Sequence, residues 1–379
     1  MTYPTELEAF WLREARTVWG ARNESELIEC ARPYVQALSD RFTVDRGRAI
    51  ELYADDPASR AAYGLFFFPQ TFARTLKVLE ECWRAPTGVH EVRILDLGAG
   101  TGAAGFAALS MLGGRRAILC AVDRSREALD ALRRLAESAR ALWPAAEVQT
   151  VQRDLTEPPS APDLFDLILC SFALNEIAEG CPSFDAAEWI CSQMDRLKPE
   201  GLLVLIEPAL RSCAERLERL RDRAAAEGWA NIVGPCPHHG PCPMLAEGRF
   251  WCHEVRSWQP PRIAETINRL LYRDLPHLKF SFLAVRRSRG RGAISDAHRG
   301  RLVAPLTPQR GKFVTRVCCA DGQLRELEIL TRSLDAAGRA TLRRMERGTR
   351  VAFVPDRVLG DGTLRASSLI ALEPNGPTH

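Results

Sequence analysis

Along positions 1–90 apolar residues recur at helical spacing, as in Leu27 and Ile28, Ala31, Tyr34 and Val35, and Leu38, with no period-two alternation. This predicts a helical N-terminal region. The aromatic run from Tyr63 to Phe68, ahead of Pro69, reads as the packing core of that region. From Val92 the pattern changes to short apolar runs separated by helical stretches. The runs are Ile94 to Leu97, Ala117 to Val122, Glu147 to Gln152, Leu164 to Leu169 and Gly201 to Ile206. Helices are expected over Ala103 to Leu112, Ser125 to Leu142 and Ala186 to Leu197, the last stopped by Lys198, Pro199, Glu200 and Gly201. Strand alternating with helix means a parallel, doubly wound α/β sheet.

Beyond Glu207 and Pro208, a helix rich in both charges over Ser212 to Gly228 leads to a segment dense in cysteine and proline, Gly234 to Pro261. A short helix follows from Ile263 to Tyr272. The tail carries alternating runs, Lys312 to Val317, Leu324 to Leu330 and Val351 to Val354, broken at Asp321 and Gly322 and at Gly360 to Gly362. These predict a small β-rich module of barrel type. The expected organisation is therefore a helical region (1–90), an α/β domain (91–233), a cysteine-rich segment with a basic stretch (234–310) and a β-rich module (311–379).

Composition narrows the picture. The chain has 379 residues, room for two or three domains, and carries a formal charge of +3. Placement matters more than the total: Arg286, Arg287, Arg289, Arg291, Arg299, Arg301, Arg310, Lys312 and Arg316 face one acid, Asp296, in the stretch they span. That stretch is a polyanion-binding candidate, with Arg286, Arg287, Arg289 and Arg291 as its densest part. The first residues carry carboxylates rather than a basic leader, and no apolar run reaches a membrane span, so a cytoplasmic, monomeric protein with no membrane role is expected. Twelve cysteines in that setting are expected to be thiols. Those standing singly in apolar contexts, such as Cys170, read as small core residues.

Chemistry begins at the first strand. Asp96 precedes three glycines at alternate positions, Gly98, Gly100 and Gly102, and a helix follows at once. Glycine permits the sharp turn and lets a ligand lie against bare backbone. The second strand ends on Asp123, where a carboxylate can accept from both hydroxyls of a ribose. The third is followed by Asp154, placed to meet an exocyclic amine or to serve as a turn aspartate. This series resembles the class I S-adenosylmethionine-dependent methyltransferases over about residues 91–210. The resemblance implies that Asp96, Gly98, Gly100, Gly102, Asp123 and Asp154 bind S-adenosylmethionine. It supplies no catalytic motif: neither the Asn/Asp-Pro-Pro-aromatic signature nor a Pro-Cys nucleophile follows the fourth strand. Asn175 and Glu176, at that strand's mouth, are the catalytic candidates, and Asn175 has a helix-capping role as its plain alternative.

In the cysteine-rich segment, Cys236 and Cys242 have five residues between them, and Cys242 and Cys252 have nine. So little apolar mass implies that something besides packing holds the loop. Zinc, completed by His238, His239 or His253, is one candidate. An iron–sulfur cluster with a distant fourth thiolate from Cys318 or Cys319 is the other. Taken with Ile206 to Ala209, the proline-flanked cysteine pair, Trp251 and the pair Cys318 and Cys319 before Gly322, the glycine-rich turn is similar to that of the methyltransferase-like family of mitochondrial small-ribosomal-subunit assembly factors, in its bacterial branch. The likeness runs from about Tyr63 to Leu330. It implies a [4Fe-4S] cluster on Cys236, Cys242, Cys252 and Cys318, with Cys319 in reserve. It also implies binding to small-subunit ribosomal RNA or an assembly intermediate, on a fold whose turnover is open. Two other readings stay beside it: an active methyltransferase for a small molecule or protein with structural zinc, and a non-catalytic RNA-binding scaffold.

Overall fold

A computed structural model describes residues 2–43, 53–157, 163–271, 276–287 and 296–372. In chain order the elements begin with three helices, α1 (Thr5–Trp19), α2 (Glu24–Thr43) and α3 (Pro57–Cys82). The α/β run follows: β1 (Val92–Leu97), α4 (Ala103–Ser110), β2 (Ala117–Asp123), α5 (Arg126–Ser138), β3 (Ala146–Gln152), β4 (Phe165–Ser171), α6 (Leu174–Gly180), α7 (Ala186–Met194) and β5 (Leu197–Pro208). Next come α8 (Arg211–Glu227), β6 (Asn231–Gly234), α9 (Pro243–Glu247), β7 (Glu254–Ser257), α10 (Arg262–Leu270) and β8 (His277–Arg286). The tail holds β9 (Arg299–Leu302), β10 (Thr307–Gln309), β11 (Lys312–Cys319), β12 (Leu324–Leu330), α11 (Ala336–Arg344), β13 (Arg350–Val358) and β14 (Leu364–Ala371). The chain divides into two compact units, 1–206 with 258–278, and 207–257 with 279–379.

In the first unit, five strands run in the order β3-β2-β1-β4-β5, every pairing parallel. The α/β class expected from the alternation is the one observed. Strands β1 and β4 are apolar almost throughout because both faces of a parallel sheet are covered. The N-terminal helices form as expected, and Phe66 and Phe68 are buried. Gly64 lets the Trp11 ring lie against the α3 backbone, since a Cβ there would come within 2.0 Å of the indole. One boundary differs. Lys198 to Glu200 do not close a helix but open β5, and a register irregularity between Phe165 and Leu167 takes up the extra residues. Proline is tolerated where the ladder is interrupted.

In the second unit, β6 pairs antiparallel with β8, and β7 also pairs with β8. The tail closes on itself. Strand β11 pairs with β12 and with β9, β12 runs parallel to β14, β14 pairs with β13, and β13 returns to β9. This five-membered ring is a small barrel, with α11 between β12 and β13 and β10 continuing along the edge of β11. Its interior holds Phe313, Val317, Cys319, Leu327, Ile329, Val351 and Phe353. Among the described residues no helix is long and apolar enough to cross a membrane.

Candidate functional sites

The first site lies at the C-terminal ends of β1, β2 and β4. The turn after β1 needs its glycines: Gly98 has φ +70° and a Cβ there would come within 2.3 Å of the Ala173 Cβ, whereas Gly100, at φ +51°, faces open space. The Gly100 N–H donates to Asp123 Oδ2 at 2.7 Å and Ser125 N–H to Asp123 Oδ1 at 2.8 Å, so turn and second strand share one carboxylate. Asp96 is buried; its Oδ2 accepts from Gly105 N at 2.8 Å while Oδ1 has no partner. Burial pushes its pKa up to about 7. Thr101 Oγ1 and Ser171 Oγ are likewise enclosed without a partner. Unsatisfied buried polar atoms are costly, and three of them beside an open glycine turn fit a polar ligand. An ammonium group would satisfy Asp96 Oδ1, and ribose hydroxyls would meet the lone pairs left on Asp123. S-adenosylmethionine carries both groups and, when bound, offers an electrophilic methyl.

Asp154 is exposed and accepts from Thr156 N and Oγ1, at 2.9 and 2.7 Å, so it caps its own turn. Asn175 is buried in the first turn of α6 and is not the N-cap, which is Ala173. Glu176 lies 4.0 Å from Arg124 and burial raises its pKa to about 7, a value suited to accepting a proton near neutrality. Around it stand groups that pattern reading missed. The rings of Tyr53 and Tyr63 lie 5.3 Å apart, tilted by 32°, and both feel the Glu176 charge, and Arg74 lies 5.2 Å over the ring of Phe172. Phe172 holds a left-handed φ of +62°, the one such non-glycine among the described residues, at the mouth of β4.

The second site is the cysteine cluster. The cysteines lie close enough that Cys236 raises the pKa of Cys242, Cys252 and Cys318, and Cys242 that of Cys252 and Cys318; burial is the main cause, carrying Cys242 to about 12 and Cys252 and Cys318 well above their ordinary range. Cys236, Cys242 and Cys252 line one cavity with Glu218, Arg221 and His253. Cys242 and Cys318 pack in one buried cluster with Met244 and Val303, and Cys252 lies against it. The neighbouring residue on β11, Cys319, points the other way into the barrel. All twelve cysteines are free thiols. Among the described residues no three His, Cys, Asp or Glu side chains converge on a single-ion site.

Helix α8 shapes this loop, a role that its charge pattern did not disclose. Glu218 accepts from Cys252 N at 2.6 Å, Asp222 accepts from Cys242 N at 2.9 Å, and Arg221 donates to the carbonyls of His238 and Gly240. Their spacing places all three on one helix face. Arg221 Nη2 also meets His238 Nδ1 at 3.2 Å, while His238 Nε2 lies 3.4 Å from Cys318 Sγ. With Nδ1 accepting from a guanidinium, Nε2 carries the ring proton and donates it to sulfur. Burial and Arg221 lower the pKa of His238 to about 4, so the ring is neutral. Burial likewise lowers His239, and His253, also brought to about 4, has Nδ1 at 3.2 Å from the Trp251 carbonyl. Three of the sulfurs share their cavity with His253 and Glu218, and burial raises the Cys236 thiol although Arg221 opposes the shift. Four cysteines are the type of donor set that a [4Fe-4S] cluster takes, and an all-cysteine zinc ion would need them to close together further than they do here.

The basic stretch is divided. Arg286 is half-buried at the end of β8 and Arg287 is exposed, while Arg289 and Arg291 lie outside the described residues. Farther along, charges counted for a polyanion are spent internally: Arg301 is buried against Glu254, Lys312 pairs with Glu328, and Arg316 pairs with Glu247 and Glu326. Arg301, Lys312 and Arg316 are therefore structural, because partners distant in sequence neutralise them.

A parallel sheet with a glycine-rich first turn and acids on its first two strands defines a protein of methyltransferase fold. The chain belongs to the family described as mitochondrial small ribosomal subunit Rsm22, whose model matches residues 57–350. It is similar to the human protein named "Ribosome assembly protein METTL17, mitochondrial", at 24% identity over 267 residues, covering 64% of this chain and 54% of the relative. The chain thus spans about half the length of that relative. Solved structures with partial likeness include a putative class I S-adenosylmethionine-dependent methyltransferase from Listeria monocytogenes (TM-score 0.40, 11% identity, 76% of this chain and 89% of that one). Another is a precorrin-6y C5,15-methyltransferase from Geobacter metallireducens (TM-score 0.35, 14% identity, 57% and 87%).

Proposed function

We propose that this protein is a ribosome-assembly factor of methyltransferase fold that binds S-adenosylmethionine, carries a [4Fe-4S] cluster on Cys236, Cys242, Cys252 and Cys318, and engages small-subunit ribosomal RNA. The observation that carries the reading is family membership over residues 57–350, a span that includes both the glycine-rich turn and all four thiols. Cofactor binding is supported by the unpartnered Asp96 Oδ1, Thr101 Oγ1 and Ser171 Oγ around the open face of Gly100. The cluster is supported by the nearness of the thiols, with Cys236, Cys242 and Cys252 all acting on Cys318, and by the His238 Nε2 contact with Cys318 Sγ.

Methyl transfer is part of the proposal. Glu176 would take the proton of the accepting group, with Asn175 orienting it, and Tyr53 and Tyr63 would keep water from the site. The rival with structural zinc and a small acceptor differs in its metal, so one preparation separates the two. Protein purified without oxygen should be brown, hold about four irons per chain and bleach in air. Colourless protein with one zinc per chain would overturn the cluster. Crosslinking to small-subunit RNA, and calorimetry with S-adenosylmethionine, test the other two parts.

A further inference from the structure

Phe250 is an exposed aromatic, at 45% of its free surface, on the short turn between α9 and Cys252. Its ring has the Arg249 guanidinium at 5.0 Å and that of Arg316 at 5.9 Å. Arg211 lies 5.2 Å over the adjoining Trp251 and donates to the carbonyls of Gly248 and Arg249, at 3.3 and 2.8 Å. Trp251 is itself tied down, its Nε1 donating to Ala209 O at 2.9 Å and its carbonyl accepting from Arg347 at 2.7 Å. The turn is therefore held at both flanks, and Phe250 is presented on a rigid support.

The place of this turn gives it meaning. The barrel pairing of β9, β11, β12, β14 and β13, with the parallel β12–β14 contact and a helix after the third strand, is that of the OB fold. OB barrels bind oligonucleotides on the face of strands two and three, usually with aromatics from those strands. Here those strands are β11 and β12. Phe313 and Val317 of β11 point into the barrel core, so the alternate positions Lys312, Val314, Arg316 and Cys318 face outward, and none is aromatic. Through Arg316 the turn reaches this face and supplies the missing ring.

We infer that Phe250, with Arg249 and Arg211, is a stacking site for one unpaired base of single-stranded RNA on the second-strand face of the barrel. The inference rests on the RNA-binding reading above. Chemistry limits the site to a short contact. Arg316 is paired with Glu247 and Glu326, which together oppose a continuous phosphate track, whereas no carboxylate pairs with Arg249 among the described residues. Stacking should thus contribute more than charge.

The test uses the full chain and fluorescein-labelled 12-nucleotide RNAs, single-stranded and as the matching duplex, read by anisotropy. Phe250→Ala should weaken single-strand binding by about 10- to 100-fold, leave duplex binding and the salt slope unchanged, and keep the melting temperature and metal content of the parent. Phe250→Trp should retain single-strand affinity. Equal affinity of Phe250→Ala and the parent would overturn the site, as would an equal loss for duplex. If that equality coincides with lost binding on neutralising Arg286, Arg287, Arg289 and Arg291, RNA binding stands and only this site falls. If the parent binds neither RNA, the broader reading falls with it. Parent protein that ignores RNA but sediments with small-subunit particles through Phe250 would make the surface a protein contact and overturn the stacking assignment.

Discussion

His238 Nε2 stands 3.4 Å from Cys318 Sγ, joining the proline-flanked loop to strand β11 across eighty positions of sequence. The same ring takes a hydrogen bond from Arg221 on its other nitrogen, so three elements meet at one imidazole. His238 thereby donates to the sulfur proposed as the fourth ligand, a role that would tune a metal site rather than occupy it.

That role separates two outcomes. Cys318→Ser should lose the metal, and Cys319→Ser should keep it while losing about 1–3 kcal/mol of stability to a hydroxyl placed in the barrel core. His238→Gln should retain metal, with faster loss to a chelator. Metal analysis of the three variants checks this; a metal-free His238→Gln with metal-loaded Cys318→Ser would make the histidine the ligand.

Arg221 should be the most sensitive position on α8. It is buried, holds the His238 and Gly240 carbonyls and pairs with Asp222, so Arg221→Ala leaves two carbonyls without their donor and Asp222 with only the Cys242 N–H, and should cost about 3–5 kcal/mol. Limited proteolysis should then cut within 236–252 first. Arg221→Lys, which cannot bond both carbonyls in one plane, should fall between the two.

The glycine turn gives a contrast between folding and binding. Gly98→Ala should destabilise the whole unit, because its Cβ meets that of Ala173. Gly100→Ala meets no protein atom and should cost only the left-handed backbone penalty of about 1–2 kcal/mol, yet it should abolish S-adenosylmethionine binding. Asp123→Ala should weaken that binding by about 1.5–3 kcal/mol. Thermal melts beside calorimetry check all three.

Asp96 predicts a pH dependence. Its folded pKa, about 7, lies above its unfolded value, so its contribution to the ligand-free protein is fully present below the unfolded pKa and is lost as pH rises through about 7. A bound ammonium group reverses the preference and calls for the ionised form. Affinity for S-adenosylmethionine should therefore rise from pH 6 to pH 8 by about tenfold, and Asp96→Asn should bind weakly with a flat profile. A parent profile that is flat as well would mean that no ammonium meets Asp96 Oδ1.

The basic stretch predicts a salt effect. Replacing Arg286, Arg287, Arg289 and Arg291 together with Gln should reduce the slope of log affinity for RNA against log salt by up to about 3, as counterion release from single strands requires. An unchanged slope would move the phosphate contacts elsewhere.

Much of the first unit was legible in the sequence because its signals are local. An apolar run, an acid and three glycines dictate a strand, a turn and a helix from neighbouring residues alone, and the parallel order follows from strand–helix alternation. The cysteine motif was legible for the same reason, as was the barrel character of the tail. Which of Cys318 and Cys319 faces the loop was not, since alternation along β11 defines two faces without saying what packs on each. Nor was the burial of Arg301 against Glu254, the grip of Glu218, Arg221 and Asp222 on the loop, or the exposure of Phe250. Each depends on a partner far along the chain, and the free energy of a charge or a ring is decided by that partner and by the water it excludes.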